Sequence, residues 1–213
     1  MFDIEYKGGN TVVIATKKLT VVFDPKQSLI GLKDYVAKDA LQIATEPRFV
    51  HDDTAYRLIV DGPGEYEIAV VSMRGIVAMR HIDDLAVAPG ATIYQLEIGG
   101  IRIAVLGNIS DKLSEDQLEA LGVIDVVILP VGGGGYTLDA TSAASAVRQI
   151  EPKVVIPVHY ADEGLRYEVP QDTIDTFTGE LSAPVEQVAS KYKLKGTASL
   201  PQALTVIVID RSS

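Results

Sequence analysis

Cysteine is absent from the 213-residue chain, and histidine occurs only three times. Without cysteine there is no disulfide framework, no thiolate zinc site and no cysteine nucleophile. Three imidazoles are also too few for a two-metal centre in which histidines supply most of the ligands. Composition therefore argues against a two-metal centre whose ligands are mainly histidine.

Long apolar runs and an excess of basic charge are also lacking. No run approaches the roughly 18 apolar residues that a membrane span needs, and residues 1–5 lack the basic and apolar segments of a signal peptide. We therefore expect a cytoplasmic location and no membrane partner. The net charge of −10 repels polyanions, so we expect no nucleic-acid partner.

Hydrophobic residues make up 47% of the chain and charged residues 23%. This balance is that of a globular protein with a sizeable core rather than of a disordered one. No linker, low-complexity tract or internal repeat divides the chain. We predict a single domain over residues 1–213.

Short β-branched or apolar runs predict strands through the first half of the chain. The Gly8-Gly9-Asn10 and Gly99-Gly100 segments are typical of hairpin turns. Residues 28–38 have a mixed pattern that fits a loop or a short helix. The predicted strands cover residues 2–6, 11–16, 19–23, 40–44, 57–61, 66–79, 92–98 and 101–106.

The second half alternates between buried strands and helices. Ser114 and Gln117 have the spacing of a capping box, which predicts a helix over residues 113–121. Further helices are predicted over 139–150, 170–177 and 184–192, and strands over 126–130, 154–158 and 204–209. Hairpins followed by alternating units predict two packed sheets with helices outside.

Several polar or glycine-rich loops follow predicted strands, where α/β sheets place ligands. The Gly132–Gly135 run lacks the lysine of a phosphate loop, so we interpret it as a close-approach turn, with a phosphate site as the alternative. The segments concerned are Phe23-Asp24-Pro25, Asp61-Gly62-Pro63-Gly64-Glu65-Tyr66-Glu67, Leu106-Gly107-Asn108, Leu129-Pro130-Val131-Gly132-Gly133 and Ile156-Pro157-Val158-His159-Tyr160.

In this order and at this spacing, the five segments resemble the metallo-β-lactamase superfamily, and most closely its short branch of zinc-dependent hydrolases of the β-lactamase fold. The resemblance runs nearly end to end. It implies an α/β fold, an αββα sandwich of two mixed sheets flanked by helices. It also implies one or two metal ions, held by a His-x-His-x-Asp-His loop, by a Gly-Asp with a histidine shortly after it, and by a late histidine.

This chain departs from that ligand pattern. When the loop is aligned on Asp39, its four ligand positions fall on Thr45, Pro47, Phe49 and Val50. When it is aligned on Thr45, they fall on Glu46, Arg48, Val50 and His51. Gly107-Asn108 stands in place of Gly-Asp, Asp111 in place of the following histidine, and only His159 keeps the family's residue type.

Each candidate also has an ordinary structural interpretation. His159 fits a packed, hydrogen-bonded histidine as well as a ligand, and His51 fits a solvated loop residue. Asp111 fits a helix cap, and His81 fits a surface residue. The candidate cleft residues are Asp24, Glu46, Asn108, Asp111, Tyr136 and His159, and the weak metal candidates are His51, Asp111 and His159.

Three functional hypotheses follow. The first is a non-catalytic binding or scaffold protein without a cofactor, whose partner is an unknown protein or small molecule. The alternative is a metal-dependent hydrolase of a phosphodiester, lactone or similar ester, with a single Mn²⁺, Mg²⁺ or Zn²⁺ ion. The third is a metal-free enzyme that uses Asp111, His159 or Tyr136 for acid–base work. The high apolar content also fits a homo-oligomer.

Overall fold

The computed structural model describes residues 1–83 and 89–212, which form two mixed β-sheets. The predicted fold class, a sandwich of two mixed sheets, is confirmed. The fourteen strands are β1 (Phe2–Gly8), β2 (Thr11–Thr16), β3 (Thr20–Phe23), β4 (Leu41–Ile43), β5 (Leu58–Val60), β6 (Gly64–Ile68), β7 (Val71–Ala78), β8 (Ala91–Ile98), β9 (Ile101–Val105), β10 (Val126–Pro130), β11 (Val154–Val158), β12 (Val185–Val188), β13 (Tyr192–Leu194) and β14 (Thr205–Ile209).

The smaller sheet has six strands in the order β13-β1-β2-β3-β4-β5. Its hairpin part is antiparallel, and β3, β4 and β5 run parallel to one another. The larger sheet has eight strands in the order β12-β14-β11-β10-β9-β8-β7-β6. Its strands β9, β10, β11 and β14 are parallel, so their carboxyl ends meet at one edge.

The α-helices are α1 (Glu115–Leu121), α2 (Ala140–Ile150) and α3 (Ile174–Leu181). The predicted capping box is present, because the Ser114 side chain accepts from the Gln117 backbone and the Gln117 side chain accepts from the Ser114 backbone. Helix α1 contacts β7, α2 contacts β10, and α2 packs against α3. The outer face of the smaller sheet is covered by loop residues, among them Ala40 and Tyr56.

Three predicted elements differ from the structure, one of them only in its bounds. The long strand over 66–79 is two strands, β6 and β7, joined by a turn in which Ala69 has a left-handed backbone (φ 55°). The helix over 184–192 is strand β12, which pairs in parallel with β14 and gains ladder hydrogen bonds that periodicity alone does not reveal. The helix over 170–177 begins only at Ile174, after Pro170.

One cluster of buried hydrophobic residues extends from Phe2 to Ile209 and lies around strands of both sheets. The central strands β10 and β11 are buried at every position, as their apolar sequences predicted. In the described residues, none of the helices has the length and apolar content needed to cross a membrane.

Leu129 in β10 is fully buried, so we expect Leu129→Ala to lower the free energy of unfolding by about 2–5 kcal/mol through lost burial and a residual cavity. The matched control is Val123→Ala, because Val123 is 65% exposed and its truncation should change stability by less than about 0.5 kcal/mol. Equal effects in urea unfolding would contradict the assigned core.

Candidate functional site

Four of the candidate residues follow strands that end on the same side of the two sheets. Asp24 follows β3, Glu46 lies shortly after β4, Asn108 lies shortly after β9, and His159 follows β11. All four side chains are buried. Asp24 and His159 also hold left-handed backbone conformations, with φ of 47° and 49°. Such strain in a non-glycine residue persists only where the surroundings enforce it.

A continuous chain of buried hydrogen bonds joins three of these residues through Asn10. The Asn108 Nδ2 donates to Glu46 Oε1 at 2.9 Å. The Asn10 Nδ2 donates to Asn108 Oδ1 at 3.1 Å. At the far end, His159 Nδ1 lies 2.9 Å from Asn10 Oδ1. The two sheets are thus connected at their strand ends by polar side chains rather than by apolar packing alone.

Two guanidinium groups face the other oxygen of Glu46. Glu46 Oε2 lies 3.4 Å from Arg48 Nε and 3.9 Å from Arg80 Nη1. Burial raises the pKa of Glu46, whereas the Arg48 charge and the Asn108 hydrogen bond act to lower it. The ion pairs therefore offset only part of the cost of burying this carboxylate, whose side chain is 3% exposed, and Arg80 pairs more closely with Asp83, at 2.6 Å.

Arg48 itself is fixed on several sides. Its guanidinium carbon lies 4.6 Å from the ring centroids of both Phe49 and Tyr136, a geometry in which cations are attracted to aromatic faces. Its Nη1 lies 3.8 Å from Glu168 Oε2 at the surface. The Tyr136 hydroxyl is buried and has no hydrogen-bond partner in the described part of the chain.

Asp24 is held by Thr45, the residue before Glu46. The Thr45 backbone N–H and hydroxyl each donate to an Asp24 carboxyl oxygen at 2.7 Å. Burial raises the pKa of Asp24 to about 7, although the hydrogen bonds from Thr45 act in the opposite direction. Asp24 therefore changes charge near neutral pH.

His159 is neutral over the ordinary pH range. Burial, assisted by the nearby Arg48 charge, lowers the pKa of His159 to about 3. Its ring lies 4.7 Å from the ring of Tyr167 and stacks with Tyr136 at 6.4 Å. The site thus presents an uncharged imidazole among aromatic rings.

A cavity of about 30 Å³ lies against these groups and is lined by Asn10, Asp24, Arg48, Tyr136 and His159. This volume corresponds to roughly one water molecule. Tyr167, Glu168 and Gln171, from the segment between β11 and α3, line the same cavity.

Asp111 and His51 lie outside this cluster, so the structure does not bring all sequence candidates together. The Asp111 side chain is 57% exposed, and one of its carboxyl oxygens lies 3.1 Å from His81 Nδ1. His81, expected at the surface, is only 17% exposed. His51 lies 3.1 Å from Asp34 and 3.6 Å from Asp53, so it connects the loop after β4 with the loop after β3.

Sequence reasoning missed Asn10, Arg80 and Tyr167. Asn10 has the pattern of a hairpin turn residue, and its side chain reaches Asn108 only because β1–β2 and β9 meet in space. Arg80 and Tyr167 carry no local motif. Arg48 was assigned to a ligand position in one alignment, and its positive charge was the available signal that a cation would be repelled there.

The donors present do not fit the metal centre that the family resemblance implies. Each Glu46 oxygen is engaged, one by Asn108 and the other by guanidinium groups, which leaves His159 Nε2 as the one donor of the family's ligand positions in this cluster that is available. Within residues 1–83 and 89–212, no group of three or more His, Asp or Glu side chains is arranged to hold a metal ion. A zinc site takes three or four protein ligands.

Gly107 lies against the Thr45 side chain, and a Cβ added there would lie 2.7 Å from Thr45 Cβ and Oγ1. We expect Gly107→Ala to displace Thr45 and to lower the free energy of unfolding by about 2–4 kcal/mol, from left-handed strain and overpacking together. Gly99 is the control, because it has φ +60° and open space around it. Gly99→Ala should cost only about 1–2 kcal/mol. Equal losses in chemical denaturation would show that Thr45 is not held as described.

His159 and Asp24 should give opposite pH dependences of stability. The folded-state pKa of His159 is about 3 against 6.5, so the wild type loses up to about 1.4 kcal/mol per pH unit as pH falls below 6.5. The folded-state pKa of Asp24 is about 7 against 3.8, so the wild type loses stability as pH rises from 3.8 to 7.

Two variants separate these opposing effects. Relative to wild type, His159→Gln should gain stability as pH falls from 6.5 towards 4, whereas Asp24→Asn should gain as pH rises from 4 to 7. Urea unfolding at intervals between pH 4 and 8 measures both. If the stability of either variant changes with pH in parallel with that of the wild type, the replaced side chain is not buried in its neutral form.

Relatives by sequence share segments with this chain. A UPF0173 metal-dependent hydrolase of Symbiobacterium thermophilum is 45% identical over 71 residues, which cover 32% of this chain and 31% of the relative. One from Thermoplasma acidophilum is 34% identical over 81 residues, covering 33% and 36%. The chain therefore matches about a third of the length of these curated relatives. Their names favour the hydrolase hypothesis and give no support to a non-catalytic role.

Solved structures share the fold over nearly the whole chain. A protein from Thermotoga maritima, described within the metallo-β-lactamase superfamily, superposes with a TM-score of 0.74 at 21% identity over 98% of both chains. A metallo hydrolase from Ignicoccus hospitalis superposes with a TM-score of 0.59 at 17% identity over 85% of this chain and 90% of its own. At these identities, the likeness concerns the fold.

The family model for the beta-lactamase superfamily domain matches residues 3–159. This range includes the ends of β3, β4, β9 and β11 and every residue of the buried hydrogen-bond chain. The chain belongs to the β-lactamase superfamily.

Proposed function

We propose that this chain is a metal-independent member of its superfamily that acts by binding a protein or small-molecule partner. The observation that carries the proposal is the position of Arg48. In the alignment on Thr45, Arg48 stands where the family places its second histidine ligand, and its guanidinium pairs with Glu46, which stands at the first. A cationic side chain thus lies among the positions that would hold a cation.

Charge compensation supports this interpretation. A buried carboxylate is costly unless a counter-charge and hydrogen bonds satisfy it. In a metal site, the ion supplies that counter-charge. Here Arg48 and Arg80 supply it, and Asn108 supplies the hydrogen bond. These groups therefore take over part of the electrostatic role that a metal ion would have at this place.

A second candidate is a hydrolase with a single divalent ion, and the names of the relatives favour it. It requires Arg48 to leave Glu46, so that one carboxylate oxygen becomes available beside His159 Nε2. Two donors would then remain from this cluster, fewer than a zinc site uses. The two candidates differ in one measurable property, the amount of metal that the protein retains.

Elemental analysis of protein purified without a histidine tag should therefore give far less than one metal ion per chain. We also expect the melting temperature to stay unchanged, within about 1 °C, after addition of Zn²⁺, Mn²⁺ or a chelator, because a ligand that binds only the folded state would raise it. The matched variant is Glu46→His with Arg48→His, which restores the His-x-His pair and should gain a zinc-dependent shift.

Stoichiometric metal in the wild type would support the hydrolase candidate instead. So would hydrolysis of a phosphodiester or a lactone above the uncatalysed rate, provided that His159→Ala abolishes it. A zinc response in the double variant alone shows that the fold retains the place for a metal and that this chain's own residues fill it.

A further inference from the structure

The hydrogen-bond chain from Glu46 to His159 has a direction, because each amide presents one donor group and one acceptor group. Asn108 donates with Nδ2 to Glu46 and accepts with Oδ1 from Asn10. Asn10 therefore presents Oδ1 to the imidazole. An amide oxygen only accepts, so the imidazole nitrogen facing it must carry the proton.

From this geometry we propose that Glu46 sets the tautomer of His159 through Asn108 and Asn10, so that the proton lies on Nδ1 and the Nε2 lone pair is free. Glu46 is a positioning residue in this arrangement, since it acts on His159 only through the two amides. The proposal concerns the same cluster as the proposed function and rests on it.

Glu46 is the fixed end of the chain. An ionised carboxylate has only acceptor atoms, and although burial raises the pKa of Glu46, the guanidinium groups of Arg48 and Arg80 and the hydrogen bond from Asn108 favour the ionised form. Asn108 must then turn its NH₂ towards Glu46, since its carbonyl oxygen would repel the carboxylate. Asn10 must then donate with its NH₂ to the Asn108 oxygen, which turns the Asn10 oxygen towards His159. His159 can meet that oxygen only with a protonated Nδ1.

With the proton on Nδ1, the Nε2 atom of His159 is a hydrogen-bond acceptor at the cavity. His159 lines the cavity of about 30 Å³, and the hydrogen bond to Asn10 is made by Nδ1, so Nε2 is the ring nitrogen left for a ligand. A group that complements a neutral imidazole lone pair donates a hydrogen bond, as a hydroxyl or an amide does. The opposite tautomer would present a donor and favour acceptors, so the tautomer determines the class of ligand group.

Glu46→Gln is the sharpest test, because it changes the end of the chain without changing its size. The amide oxygen of the substituted side chain should face Arg48 and Arg80, since its NH₂ would clash with guanidinium donors. Its NH₂ then faces Asn108 and donates. Both asparagine amides must reverse, Asn10 donates to Nδ1, and the proton moves to Nε2.

Nitrogen-15 NMR of histidine-labelled, metal-free protein distinguishes the tautomers, and loss of signals in His159→Gln assigns them. We expect protonated Nδ1 in the wild type and protonated Nε2 in Glu46→Gln. In the Asn10→Ala background, which breaks the chain, Glu46→Gln should leave the His159 signals unchanged.

Protonated Nε2 in the wild type would overturn the proposal, even if the Glu46→Gln variant failed to fold. A folded Glu46→Gln protein that keeps protonated Nδ1 would overturn it as well. Movement of the proton to Nε2 when Glu46→Gln is introduced into the Asn10→Ala background would also overturn it. None of these outcomes depends on metal content, which tests the proposed function separately.

Discussion

A carboxylate that is almost completely buried needs a positive partner, and in this chain Glu46 obtains it from arginine. The surrounding cluster is organised around this requirement. Arg48 and Arg80 balance the charge, Asn108 supplies a hydrogen bond, and Phe49 and Tyr136 pack against the Arg48 guanidinium. Removal of one partner of such a pair is usually far more destabilising than replacement of both, so Glu46 and Arg48 form one unit.

The superfamily's scaffold explains why these groups meet. Parallel strands end at a common edge, and residues that follow them are brought together although they lie far apart in sequence. Asp24 and His159 keep left-handed conformations there, and Thr45 joins Asp24 to the loop that carries Glu46. The fold retains the geometry of a ligand-binding edge, whereas its side chains form a closed polar network around a cavity for roughly one water molecule.

Most of the fold followed from the sequence, since apolar runs such as β10 and β11 and the capping box of α1 are local signals. Strand β12 was missed because its register with β14 is a tertiary contact. In the site, motif order predicted Asp24, Glu46, Asn108 and His159, which lie together in the structure, and also Asp111, which lies outside this cluster. Asn10 and Arg80 could not be found, because their roles depend on which chain segments meet in space.

The superfamily relationship is established, and a metal-independent site is the central proposal. Anomalous diffraction from crystals grown with excess Zn²⁺, recorded at the zinc absorption edge, tests that proposal most directly. We expect no anomalous peak within coordination distance of Glu46 and His159, and an intact Arg48–Glu46 ion pair. A strong peak bound by both side chains, with Arg48 displaced, would contradict the account.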